Sequence, residues 1–192
     1  KVMEPILSVS NLTKKYDSVT AVDGFNLKLK KGSVHGLVGP NGAGKTTMLS
    51  IMSGLRRKTS GEIKFGVPIR KIMLMPDTPE FFDFLTPREA VDLARAPFED
   101  EIHKDAVEQV IKDVGLIDSI DRRVGGFSRG MKQRLGLAVT IIGNPKLIFL
   151  DEPCSALDPI GRRDVLDIVN ALKEKSTILF STHILSDIES VC

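Results

Sequence analysis

Eight consecutive residues, Gly39-Pro40-Asn41-Gly42-Ala43-Gly44-Lys45-Thr46, combine the types needed to grip a phosphorylated anion. They fit G-x-x-x-x-G-K-[ST], the pattern of a phosphate-binding loop. Glycines carry no Cβ, so the backbone can coil tightly and turn successive N–H groups inward at the anion. Lys45 adds a point charge and Thr46 a hydroxyl of the kind that ligates magnesium. A helix opening here contributes its positive end to the same phosphates. The plain alternative is a Gly-rich turn holding a chance Lys and Thr, and average composition puts such a match at about one per cent in a chain of this length. The flanks favour phosphate binding. Val34–Val38 reads as a buried strand, and Thr47–Met52 opens a helix that ends near Gly54, which is the strand, loop and helix order the motif requires.

A second chemical pair, Asp151-Glu152, follows the apolar run Leu147–Leu150. Such a run reads as a parallel strand buried on both faces, so the two carboxylates emerge at the sheet edge where the phosphate loop also emerges. Asp151 is placed to hold magnesium, directly or through water, and Glu152 to orient and polarise a water attacking a γ-phosphate. In isolation an Asp-Glu pair reads as a solvated cap; the preceding strand and the phosphate loop reverse that reading.

The elements that must position these groups alternate. Ile6 to Tyr16 reads as a strand and turn, and Phe25–Lys30 alternates with period two as a half-buried antiparallel strand, with Lys28, Lys30 and Lys31 on its wet side. Gly61–Phe65 and Ile72–Met75 read as short strands. From Pro87 to Ile142 the pattern turns helical. Ile102, Ala106, Val110 and Val114 recur at helical spacing, and Gly115 sits where a helix C-terminus wants a left-handed residue. Asp158-Pro159 starts a further helix with inner stripe Val165, Leu166, Val169 and Leu172, and Thr177–Ser181 is the last clear strand. Strands alternating with helices predict an open α/β sheet that gathers ligands at the carboxyl ends of its strands.

Composition bounds the function classes. The chain has 192 residues, 42% hydrophobic and 27% charged, enough for one core. A net charge of +2 with no long basic run argues against a nucleic-acid surface. Two cysteines, Cys154 and Cys192, make neither a disulfide framework nor a zinc site and point to a reducing cytoplasm. No apolar run approaches a membrane span and no leader resembles a signal peptide, so a membrane role would need a span from another chain.

Taken in order, these motifs resemble the nucleotide-binding subunit of an ATP-binding cassette (ABC) transporter. Gly39–Thr46 matches Walker A, with Thr47 beside it, and Leu147–Glu152 matches Walker B. Phe127-Ser128-Arg129-Gly130-Met131 stands at the signature motif, Ser155–Asp158 at the D-loop, His183 at the switch histidine and Tyr16 at the aromatic that stacks on adenine. The resemblance implies an α/β P-loop NTPase fold: a RecA-like core with a parallel sheet, an N-terminal antiparallel β part and an inserted helical subdomain. As one domain it would place the core at about 1–80 and 143–192 and the insertion at about 81–142, and it would be C-terminally short, stopping at Cys192 where relatives continue. The implied ligands are ATP and Mg2+. Gly39, Pro40, Asn41, Gly42, Ala43, Gly44, Lys45, Thr46, Thr47, Tyr16, Ser128, Gly130 and Asp158 would bind nucleotide, Thr46, Asp151 and Asp77 the metal, and Lys45, Glu152 and His183 would serve catalysis.

Physically, Met131, Leu135, Ala138, Val139 and Ile142 fall on one helical face and place Ser128 and Gly130 at a helix N-terminus, a second anion site. In the family that site acts in trans, which implies a head-to-tail homodimer or heterodimer holding two nucleotides. A separate transmembrane permease is the implied partner, with the chain peripheral on the cytoplasmic face of the membrane. Departures from the family pattern are Asp77 where Gln is usual, Arg129 and Met131 in the signature, and a short Gly61–Met75 segment that suggests a reduced antiparallel sheet. Phe81, Phe82, Phe84 and Leu85 read first as the core of the helical insertion and second as a groove wall for a membrane-subunit helix. Rival readings are a soluble cassette acting on ribosomes or chromosomes and a regulatory subunit with little turnover. Against the first, Lys45 and Ser128 are only 83 positions apart with no coiled coil between them.

Overall fold

The computed structural model describes residues 4–192. Two sheets are built from seven strands. An antiparallel sheet of order β2-β1-β4 comprises β1 (Leu7–Tyr16), β2 (Val19–Leu29) and β4 (Ser60–Phe65). A parallel sheet of order β3-β7-β6-β5 comprises β3 (Val34–Val38), β5 (Ile72–Met75), β6 (Leu147–Leu150) and β7 (Thr177–Thr182). The helices are α1 (Lys45–Met52), α2 (Pro87–Arg95), α3 (Ala106–Asp113), α4 (Arg129–Ile141), α5 (Pro159–Leu172) and α6 (Leu185–Val191).

The parallel sheet is covered on both faces, and strand alternation shows how. Leu147, Phe149 and Leu179 join a core with Met48, Leu49, Met52 and the inward residues of β1 and β2. Ile148, Leu150, Ile178 and Phe180 join a second core with α2 to α5. Each of these central-strand side chains is at most 2% exposed. Replacing one as large as Phe149 by Ala would remove about 3–5 kcal/mol of transfer and cavity energy. Two-sided burial is why β6 reads as an unbroken apolar run.

Several local signals are realised in the structure. Asp158 caps α5, its carboxylate accepting from the Gly161 N–H at 2.9 Å, with Pro159 in the first turn. Gly115 takes φ 74 after α3. Thr86 and Glu89 form a reciprocal capping box at α2.

Other expectations are corrected. β3 is not buried: it is the edge of the parallel sheet, and Val38 is 49% exposed. In α3 the buried stripe is Val107, Ile111 and Val114, while Ala106 and Val110 only flank it and Ile102 precedes the helix. A strict four-residue series advances about 40° per step around a helix of 3.6 residues per turn, so its members cannot all face one way. α4 has no single inner face. It runs among α2, α3, α5 and β5 and buries Gln133, Leu135, Gly136, Leu137, Ala138 and Thr140. The phenylalanine cluster splits: Phe81 and Leu85 pack on the core, whereas Phe82 (69% exposed) and Phe84 (64%) stack on each other in solvent at 5.5 Å.

Cys154 lies buried beside α5, its thiol directed at the Arg162 carbonyl at 3.9 Å. Burial, with the nearby Asp187 and Glu152 carboxylates, pushes the thiol up to about 12. Only the thiolate reacts, and at pH 8 it amounts to roughly one part in ten thousand of such a group. Iodoacetamide at pH 8 is therefore expected to label Cys192 in the native chain and Cys154 only after denaturation; mass spectrometry showing native adducts on Cys154 would contradict that placement.

Candidate functional site

The phosphate loop joins the carboxyl end of β3 to α1 and takes a coiled shape in which two glycines are obligatory. Gly42 (φ 84) and Gly44 (φ 86) occupy the left-handed region, and a Cβ on Gly44 would run into the Ala21 carbonyl of β2. The Gly39 N–H donates to the Thr182 carbonyl at 3.2 Å, anchoring the loop to the end of β7. No side chain caps α1 and its first turn carries no acid, so its leading N–H groups face the cleft unopposed. Asn41, Gly42, Gly44, Lys45, Thr46 and Thr47 line a cleft of about 480 Å³, with Asp77 and Glu152 across from them.

Lys45 is 6% exposed and folds back over the loop. Its Nζ donates to the Gly39 carbonyl and, at 2.9 Å, to that of Pro40. It also lies 3.4 Å from Glu152 Oε1, an oxygen that is buried and accepts no hydrogen bond. His183 Nδ1 donates to the other Glu152 oxygen at 2.9 Å. Glu152 itself holds φ 45, costly for a residue with a Cβ and a form of strain that gathers at functional sites.

Beneath this pair, Asp151 is 3% exposed with both oxygens engaged. Thr46 Oγ1 donates to Oδ2 at 2.7 Å and Ser181 Oγ to Oδ1 at 2.7 Å. Ser181 Oγ in turn accepts the Glu152 N–H at 2.9 Å. The β6–β7 register, Leu150 opposite Phe180, brings Asp151 beside Ser181. Thr46 and Asp151 are hard oxygen donors of the kind magnesium takes, in contact at the cleft floor, so the residues present fit that ion. Among the described residues, no group of three or more His, Cys, Asp or Glu side chains is disposed to hold a metal.

The remaining candidates fall partly at the cleft and partly outside it. Asp77, exposed on the segment after β5, lines it. Tyr16 ends β1 opposite Val19, which also lines the cleft; its hydroxyl accepts from Arg56 and Lys14 Nζ sits 4.9 Å from the ring centroid. Ser128 and Gly130 are not brought to this cleft. They open α4 elsewhere on the surface, where Ser128 Oγ caps the helix by accepting from Met131 N. Asp158 is likewise outside, at the start of α5. Arg129, one of the two departures from the family signature, donates to the Ser155 carbonyl at 3.0 Å and ties the head of α4 to the segment before α5.

Three groups that matter here carry no role in the sequence reading. Ser181 bonds the Asp151 carboxylate and the Glu152 backbone N–H. Gln133, 1% exposed, donates to the Asp77 carbonyl at 2.9 Å and the Pro153 carbonyl at 3.2 Å, joining the segments that follow β5 and β6. Asp187, 2% exposed, pairs with Arg162. A polar residue at the end of an apolar strand was the only available signal, for Ser181. Ser181→Ala leaves the Asp151 carboxylate and the Glu152 N–H short of one partner each, and is expected to lower stability by about 2 kcal/mol, read by urea denaturation.

Comparison with known proteins agrees with this geometry. The family model for ABC transporters matches residues 22–155. An uncharacterised ABC transporter ATP-binding protein of Bacillus subtilis is 40% identical across 97% of this chain, and a bacitracin transport ATP-binding protein of Bacillus licheniformis 40% identical across 98%. The chain spans 65% of the length of each of these two relatives. A solved ABC transporter in an inward-facing conformation superposes with a TM-score of 0.86 at 26% identity, covering 98% of this chain and 78% of that one. With a phosphate loop, a strand-borne Asp-Glu pair and this fold held in common with such relatives, the chain belongs to the ABC transporter family of ATP-binding proteins.

Proposed function

We propose that this chain is the ATP-hydrolysing subunit of an ABC transporter, pairing head-to-tail around two ATP molecules and passing that motion to a separate membrane permease. The observation that carries the reading is the meeting of Lys45, Thr46 and Glu152 in one cleft with Asp151 braced behind them. The loop N–H groups and the α1 terminus bind phosphate oxygens, and Lys45 exchanges its carbonyl and Glu152 partners for the γ-phosphate. Glu152 Oε1, a buried oxygen with no hydrogen-bond donor of its own, then accepts from the attacking water. His183 holds the far side of that carboxylate. Thr46 and Asp151 would hold magnesium, with Asp77 close by, and the ion supplies positive charge to the phosphates. Tyr16 offers a stacking face to adenine.

Ser128 and Gly130 sit on exposed or half-exposed helix-opening positions outside their own cleft, which suits them to close over nucleotide held by a second copy. The exposed Phe82–Phe84 stack, a few residues after Asp77, suits a helix of the permease. No helix among the described residues is long and apolar enough to cross a membrane. In this reading the permease holds the chain at the cytoplasmic face. Cargo is set by the permease; the residues described here bear on nucleotide.

The Glu152→Gln variant tests the reading. It is expected to bind ATP with magnesium at wild-type affinity, lose turnover by a factor of roughly a thousand, and run as a dimer on size exclusion. Wild-type steady-state hydrolysis by that variant removes Glu152 from the chemistry. Phe82→Ser combined with Phe84→Ser is expected to lose capture of the permease from detergent-solubilised membranes.

A further inference from the structure

Asp187 is the second buried carboxylate in this chain with both oxygens engaged, and nothing in the nucleotide cleft touches it. Arg162 Nε, on α5, donates to its Oδ1 at 2.6 Å; Thr182 Oγ1, at the end of β7, donates to its Oδ2 at 3.1 Å. The same Thr182 hydroxyl accepts the Ile184 N–H at 3.0 Å, closing the turn that carries His183. The Thr182 carbonyl accepts the Gly39 N–H of the phosphate loop. The carboxylate is 3% exposed and the arginine side chain 27%, with Arg162 Nη2 buried and unpartnered. A charge so enclosed is tolerable only while its partner stays in place, so the positions of α5 and of the His183 turn depend on each other.

α5 begins directly after the D-loop, where Ala156 holds φ 56, and the Arg162 N–H donates to the Asp158 carbonyl at 2.9 Å. Arg129 reaches the same loop from the head of α4. A continuous set of contacts thus runs from the signature helix through Ser155–Asp158 and Arg162 to Asp187, Thr182 and His183, and from His183 to Glu152. We infer that Arg162 and Asp187 form a positioning pair that fixes His183 against Glu152, so that displacement of the D-loop is felt at the carboxylate facing the nucleotide. Neither residue touches nucleotide; both act through the turn.

The test has two arms, and only the kinetic arm rests on the ATPase reading. In the nucleotide-free chain, the imidazole proton resonances of His183, assigned by their loss in His183→Ala, are followed in Asp187→Asn. Glu189→Gln, which removes an exposed acid from the same helix, is the control. The Asp187→Asn change is expected to displace the His183 resonances by more than their linewidth and to leave those of His35 and His103 in place. Should Asp187→Asn fail to fold, Arg162→Gln at the less buried partner carries the comparison and moves the same resonances. In steady-state hydrolysis, Asp187→Asn is expected to lower kcat roughly tenfold with KM changed less than about twofold, and to cost nothing further in a His183→Ala background. Unmoved His183 resonances in a folded variant, or the same loss of kcat with and without His183, overturns the inference. A parent chain that hydrolyses no ATP contradicts the proposed function, and the resonance comparison then decides the positioning role alone.

Discussion

The Asp151 carboxylate is the constraint on which the site depends. It is a buried charge, and burial of a charge is tolerable only with full hydrogen bonding. Thr46 supplies one bond from the head of α1 and Ser181 the other from the end of β7, each at 2.7 Å. Three segments far apart in sequence are thereby held at one point. The phosphate loop is fixed relative to the sheet, and Glu152, the next residue, is delivered to the cleft with its N–H on the same serine. The parallel pairing of β6 and β7 provides the frame, since a slip of one residue would turn Asp151 away from both donors.

Patterns contained within a few residues were legible in the sequence. The phosphate loop declares itself because the left-handed backbone at positions 42 and 44 favours glycine, and β6 because burial on both faces demands an unbroken apolar run. The start of α5 was legible from Asp158-Pro159, where capping chemistry and a fixed φ coincide. Each is a local requirement, so each leaves a local trace.

What was not legible depends on which element lies against which. β3 is as apolar as a central strand and is nevertheless an edge, because strand order is a tertiary property. Phe82 and Phe84 have the composition of a core and stand in solvent, while Phe81 and Leu85 beside them turn inward. Ser181, Gln133 and Asp187 are ordinary polar residues in sequence. They gain roles from partners 20 to 56 positions away: Asp151, Arg162, Pro153 and Asp77. Helix α6 went unread because its seven residues pack Ile188 and Val191 on the core but show too short a period to stand out.

Lys45 donates to loop carbonyls and pairs with Glu152, the carboxylate assigned to the water. For Glu152 to act on water, bound nucleotide has to take over Lys45. A crystal structure with a non-hydrolysable ATP analogue and magnesium reads this directly. The expected result is the triphosphate among the N–H groups of residues 42–46, Lys45 Nζ on phosphate and no longer paired with Glu152, and the Ser128 end of a second copy closing the opposite side. A polyphosphate seated elsewhere, or bound with the Lys45–Glu152 pair intact, would contradict it.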